Sequence, residues 1–258
     1  MLRVVTANLN GIRSATKKGF FEWLATKNAD IVCLQETKAQ EHQIPEPFYR
    51  LDGYKCTFFD AHKKGYSGVA IYSKTAPVNI TTGLGWPIAD TEGRYIQYDF
   101  ADLSIASLYL PSGTSGDHRQ KEKYNFMDKF LVVLKNILAS KKSFIICGDW
   151  NIAHKNIDLK NWRSNQNKTG FLPEERAWLD KLFDEIGFVD AFRVVNQQPD
   201  QYTWWSNYAN SWDNNVGWRI DYHIVTPDLK GKILAAEIYR GQKFSDHAPL
   251  ILDYNLNL

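Results

Sequence analysis

The amino-acid sequence predicts an α/β fold in which two packed β-sheets are covered on the outside by helices. Short runs rich in β-branched and aromatic residues, each bounded by Gly, Pro, Asn or Asp, recur along all 258 residues. Few segments carry helical spacing and these lie far apart, a pattern that layered sheets produce. A hydrophobic content of 44% can fill a large core, and no linker-like, low-complexity or repeated segment divides the chain. A single domain is therefore expected over 1–258.

Strands are expected at 2–7, 30–34, 54–59, 67–73, 94–100, 103–110, 143–148, 219–225, 233–239 and 248–254. One helix is expected over 16–27. A long one starts near Asp117 as N-cap and places Met127, Phe130, Leu131, Leu134 and Leu138 on one face. A third follows Pro173, with Trp178, Leu179, Leu182 and Phe183 inward. The run "SFIICGDWN" shows how such strands end: Ser143 to Cys147 is apolar and β-branched, and Gly148 then releases the backbone into Asp149-Trp150-Asn151.

A net charge of +2 is far from the strongly basic balance that marks nucleic-acid proteins by composition alone. Basic residues do cluster locally, at Arg13, Lys17 and Lys18, at Lys63 and Lys64, and at Lys160, Arg163 and Lys168, beside loop-like residues that suit phosphate contact. No apolar run approaches the roughly 18 residues of a membrane span, and the start of the chain lacks the pattern of a signal peptide. Cys33, Cys56 and Cys147 cannot all pair, and two of them sit in apolar strand patterns, so a reducing cytoplasm is the expected compartment. No membrane partner is implied, and a monomer is expected.

Polar residues interrupt this layout at strand ends: Asn8 and Asn10, Glu36, Tyr109, Asp149 and Asn151, Asp221, Asp246 and His247. Asp and Asn often sit there only to satisfy loop backbone. Glu36 is different, because it follows Ile31-Val32-Cys33-Leu34 directly and an uncompensated carboxylate is costly to bury there. A hard cation such as Mg²⁺, bound by Glu36, Asp246 and the asparagines, would compensate it. His247 fits a metal ligand, a core histidine or a catalytic acid/base; the adjacent Asp246 favours the last.

"CLQETK" (33–38), "GYSGVAIYSK" (65–74), "CGDWNIAH" (147–154), "NVGWRIDY" (215–222) and "SDHAPL" (245–250) occur in order over the whole chain. In this the sequence resembles the exonuclease III family of DNA-repair nucleases, particularly bacterial relatives that incise abasic sites. The resemblance implies a four-layered α/β sandwich, two mixed β-sheets flanked by helices, with a Mg²⁺-dependent site at the strand ends; Mn²⁺ is an alternative. It implies Glu36 as principal metal ligand, with Asn8, Asn10 and Asp246 beside it. Asp149 is the implied base, Asn151 orients water and phosphate, His247 pairs with Asp221, and Tyr109 points at the phosphate and leaving group.

Aromatic residues in "YTWWSNYANSWDNNVGW" extend the expectation. In the resemblance Trp204 and Trp218 line a pocket for a flipped, baseless sugar, while Trp205 and Trp212 read as core. Arg13, Lys18, Tyr66, Asn161 and Asn165 match positions that contact the DNA backbone. Two positions depart from the pattern: Asn10, where many relatives have aspartate, and Ser112, where they usually carry a larger amide. The expected partner is double-stranded DNA containing abasic sites or blocked 3′ ends. The expected reaction is incision 5′ to the abasic site with 3′-end trimming. The alternatives are a 3′–5′ exonuclease with little abasic-site activity, and a DNA-binding module whose site has decayed; the presence of Glu36, Asp149, Asn151, Asp221 and His247 together argues against the latter.

Overall fold

The computed structural model describes residues 1–44 and 51–258. Its first sheet holds β1 (Leu2–Asn8), β2 (Ile31–Gln35), β3 (Lys55–Phe59), β4 (Val69–Ser73), β13 (Ile233–Ile238) and β14 (Leu250–Tyr254), in the order β13-β14-β1-β2-β4-β3. The second holds β5 (Asn79–Thr82), β6 (Tyr95–Asp99), β7 (Leu103–Tyr109), β8 (Ser143–Asp149), β9 (Val189–Asp190) and β12 (Asp221–Val225), in the order β5-β6-β7-β8-β12-β9. A ribbon of β10 (Trp204–Trp205) and β11 (Gly217–Trp218) stands apart. Both large sheets are mixed: β1 and β2 run parallel, as do β7 and β8, and the other named pairs are antiparallel.

Alternation along the strands decides the layers. Val4, Ile31, Cys33, Val69 and Ile71 of the first sheet meet Ile96, Ile105, Ile145 and Cys147 of the second in a shared core. Their sequence neighbours point outward. Val5, Ala7, Val32 and Leu34 pack under two short helices, α1 (Ile12–Lys17) and α2 (Phe20–Thr26), through Ile12, Phe20, Phe21 and Leu24. On the far side, Ala106, Leu108, Ile146 and Ile224 are covered by α4 (Asp117–Ala139), through Phe126, Met127, Phe130 and Leu134, and by Trp178 and Leu179 of α6 (Pro173–Asp180). The result is the expected helix, sheet, sheet, helix sandwich. Each large side chain so buried contributes about 1.5–3 kcal/mol. Among the described residues the other α-helices, α3 (Pro87–Thr91), α5 (Trp162–Asn165) and α7 (Ala191–Val195), are single turns or little more. Among the described residues no helix is long and apolar enough to cross a membrane.

Several expected boundaries move. The helix expected over 16–27 is two helices, because Gly19 at φ 81° breaks the chain between them. Asp117 is the first helical residue rather than the N-cap; Gly116 holds that position, and the carboxylate sits in the first turn, where the helix dipole favours it. On the long helix Leu138 packs partly buried against the core as expected, and Ile137 beside it is the more buried of the two. The strand expected from 67 starts at Val69, since Ser67 and Gly68 adopt left-handed backbone. The edge strand β5 is exposed throughout, so it has no buried alternation for a sequence pattern to reveal.

Candidate active site

Register brings the polar strand ends to one edge of the sandwich. Asn8 pairs with Gln35 across β1 and β2, Tyr109 with Asp149 across β7 and β8, and Asp221 with Asp149 across β12 and β8. The chain then turns sharply. Asn10, Glu36 and Asn151, each one or two residues past a strand, adopt left-handed backbone at φ 45°, 49° and 52°. For a glutamate this conformation costs about 1 kcal/mol or more, so the surrounding hydrogen bonds must hold it. Gly148 carries φ 148°, and any Cβ there would run into the Leu108 carbonyl; the close approach of β7 and β8 beneath Asp149 requires glycine.

At the centre, the Asn8 side-chain amide donates to Glu36 Oε1 and to Asp149 Oδ2, both at 2.9 Å. Asp149 also accepts the Asn151 backbone N–H at 2.8 Å, and the Asn151 amide donates to the Leu110 carbonyl at 2.8 Å. Glu36, Asp149 and His247 offer ligand atoms all within 4.8 Å of one another. Lys38, which sequence reasoning did not single out, places its ammonium 2.7 Å from Glu36 Oε2 and donates to Asn10 Oδ1. The Asn10 amide donates to Asp246 Oδ1 at 2.8 Å, and Trp204 Nε1 donates to Asp246 Oδ2 at 3.1 Å. Of the four residues expected around a metal, Glu36 thus joins the convergent group. Asn8 turns its N–H₂ toward the carboxylates, and Asp246 is engaged by Asn10 and Trp204.

The electrostatics sort the titratable groups. Burial, together with repulsion from Asp221 and Glu36, pushes the Asp149 carboxyl up to about 7, although His247 and the Asn151 N–H oppose the rise. Burial alone would lower His247, but Asp221, Asp149 and Asp246 outweigh it and raise the imidazole to about 10. An imidazole protonated on both nitrogens is a donor with no lone pair for a metal. Asp246 lies below its ordinary value despite burial, because His247, Asn10 and Trp204 favour its charge. Burial and the Glu36 charge hold the Tyr109 phenol well above its usual value, so it stays a neutral donor. Arg94, buried beneath it, lies 4.5 Å from the Tyr109 ring centre and donates to the Tyr109 carbonyl at 3.0 Å.

These groups floor an open cleft of about 860 Å³, whose walls include Tyr66, Ser112, Asn165, Lys168, Trp204 and Trp218. Trp204 and Trp218 face each other across the β10–β11 ribbon, ring centres 6.2 Å apart and nearly perpendicular. Trp205 is fully buried. Arg13 in the first turn of α1 and Lys18 at its C-cap are exposed, and exposed Asn161 turns the chain into α5; none of the three lines the cleft. Arg94 and Lys38 carried no usable signal, being single charged residues in "GRY" and "TKA".

This sandwich, with carboxylates, histidine and tyrosine gathered where its two sheets meet, defines a hydrolytic cleft of a known kind. The model of the Endonuclease/Exonuclease/phosphatase family matches residues 5–247. The chain is 39% identical to the Exodeoxyribonuclease of Bacillus subtilis (strain 168), over 99% of this chain and 100% of that protein. It is 35% identical to the DNA-(apurinic or apyrimidinic site) endonuclease of Dictyostelium discoideum, over 99% of this chain and 71% of that one. The structure of an AP endonuclease from Archaeoglobus fulgidus superposes with a TM-score of 0.90 at 27% identity, covering 99% of this chain and 100% of that chain. The chain belongs to the Endonuclease/Exonuclease/phosphatase family, and within it to the DNA-repair nucleases.

Proposed function

We propose that the protein hydrolyses the phosphodiester 5′ to abasic sites in duplex DNA and trims 3′ ends, with Mg²⁺ as its cofactor, as a single-domain cytoplasmic monomer. One juxtaposition carries the reading: the Glu36, Asp149 and His247 group opens into the same cleft as the facing Trp204 and Trp218. The donor set fits a hard divalent cation, since Glu36 and Asp149 bring carboxylate oxygens within 4.8 Å of each other. Glu36 would hold it, with Asp149 close by. Such a cation neutralises charge on the scissile phosphate.

The chain's own residues supply the rest. Asp149, poised near neutrality, takes a proton from the attacking water while Asn151 keeps the carboxylate turned to the cleft. His247, kept charged by Asp221, donates to a non-bridging phosphate oxygen. Tyr109 presents a neutral hydroxyl to the phosphate and departing 3′ oxygen. Two indole faces exclude an intact nucleotide and admit a sugar that has lost its base, whose extrusion costs less stacking energy.

The test is incubation with a labelled duplex carrying one internal abasic site, and with a 3′-blocked duplex, each in Mg²⁺, Mn²⁺ or EDTA. A single metal-dependent cut immediately 5′ to the site is expected. Trimming without internal incision would assign the protein to the exonuclease alternative.

A further inference from the structure

The turn that carries Asp149 and Asn151 rests on a buried charge pair that the chemistry above does not use. Lys123 of α4 and Glu175 of α6 are both without solvent exposure, and the ammonium lies 2.5 Å from Glu175 Oε1. The same ammonium donates at 2.8 Å to the backbone carbonyl of Asn151. The other Glu175 oxygen accepts the backbone N–H groups of Gly170 and Leu172 at 2.7 and 3.0 Å. Gly170 in turn braces the site. Its carbonyl accepts the Ala153 N–H at 2.8 Å, and a Cβ on it would lie 3.2 Å from the Asn151 carbonyl oxygen and 3.3 Å from the Trp218 ring.

Two charges taken fully out of water are an expensive way to stabilise a fold, and well-packed apolar residues often do as well or better. Geometry accounts for this pair where stability does not. Asn151 sits in left-handed backbone, which persists only where neighbouring contacts over-determine it, and Lys123 supplies such a contact on the carbonyl of that residue.

We propose that Lys123, anchored by Glu175, is a positioning residue that fixes the Asn151 turn and joins it to the Gly170 loop beneath Trp218, so that one buried joint aligns the hydrolytic carboxylate with the pocket wall. The proposal rests on reading Asn151 as part of the hydrolytic machinery.

The test is the double variant Lys123→Met with Glu175→Gln. Glutamine's carbonyl still accepts from Gly170 and Leu172, and methionine fills much of the lysine stem, so the losses are the ammonium and the bond that the Gln120 amide donates to Glu175 Oε1 at 3.1 Å, for which Glu175→Gln alone is the control. Single-turnover incision of an abasic duplex, 3′ trimming, Mg²⁺ half-saturation and Tm are measured beside wild type and Asn151→Ala. Incision and trimming should both fall about 10- to 100-fold, as for a small misplacement of a reacting group, with Tm and Mg²⁺ demand nearly unchanged. If the double variant does not fold, Lys123→Gln with Glu175→Gln, which likewise leaves no buried charge unpaired, carries the same expectation. Wild-type rates in a folded variant, with Asn151→Ala impaired, would overturn the proposal. So would a loss that cooling restores, since it would reflect unfolding. Full activity of Asn151→Ala, or an inactive wild type, would instead remove the underlying reading and this proposal with it.

Discussion

His247 stands between two carboxylates: Nδ1 lies 2.9 Å from Asp221 Oδ2, and Nε2 lies 3.9 Å from Asp149 Oδ2. The ring is thereby fixed in orientation and kept charged. Because its folded value is raised to about 10, its stabilising contribution is fully present below its unfolded value, near 6.5, and is lost as pH rises through about 10. Asp221→Asn should bring the His247 titration, followed by NMR of the imidazole protons, down toward neutrality. An unmoved titration would show that Asp221 does not charge the ring.

Asp149 is raised too, but here the neutral form is the one favoured. Its carboxyl is raised toward 7, so the proton it holds stabilises the fold below the unfolded value near 3.8, and that contribution disappears as pH rises through about 7. Asp149→Asn should therefore raise Tm at pH 8 in EDTA, while lowering single-turnover cleavage by about 100-fold or more, as expected for a lost general base. Unchanged cleavage would remove Asp149 from the mechanism.

Glu36→Gln removes a charge from the two converging carboxylates, and the Mg²⁺ concentration for half-maximal cleavage should rise by about tenfold or more. Calorimetric titration of the protein with Mg²⁺ alone checks the same point without DNA. Equal Mg²⁺ affinity in both proteins would place the cation elsewhere.

Trp218 packs edge-on against Phe171 and Trp204 at the pocket wall. Trp218→Ala should lower abasic-site incision by about 10- to 100-fold through lost sugar packing, and 3′ trimming by less. Rates on matched duplexes in one buffer decide it, because phosphate contacts make both salt-dependent. An equal loss in both reactions would reject the pocket assignment.

Away from the cleft, Asp158 is buried, yet the Arg219 and Arg193 guanidinium groups outweigh burial and hold its carboxyl down to about 2. The stability this gives, about 2 kcal/mol, is present above the unfolded value near 3.8 and vanishes as pH falls through about 2. Asp158→Asn should lose that slope in acid-unfolding curves, and should be less stable at pH 7 because Arg219 is left buried with a weaker partner. A wild-type acid slope in the variant would assign it to other carboxylates.

The layers were legible because both large sheets bury both faces, which turns their central strands into apolar runs such as "IVCL" and "FIIC". Glu36 stood out by contrast with the run before it. Asn8, Asp149, Asp221 and His247 were individually ordinary strand-end residues, and five motifs in order made them specific. The pairings were not legible. That Asn8 bridges Glu36 and Asp149, or that Lys123 reaches the Asn151 carbonyl, depends on side-chain direction between residues 28 to 141 positions apart. Edge strand β5 and the two-residue strands lack the length or burial that leaves a periodic trace.

Glu36 and Asn8 come from one sheet, Tyr109, Asp149 and Asp221 from the other, and His247 from the loop entering β14, the strand seated between β13 and β1. No contiguous stretch that stops short of residue 247 contains the whole set, and neither sheet has it alone. A chain with only one sheet formed therefore lacks part of the proposed site. Seating β14 between β13 and β1 completes that part of the first sheet, and the loop entering the same strand carries the imidazole, so sheet and site are assembled together.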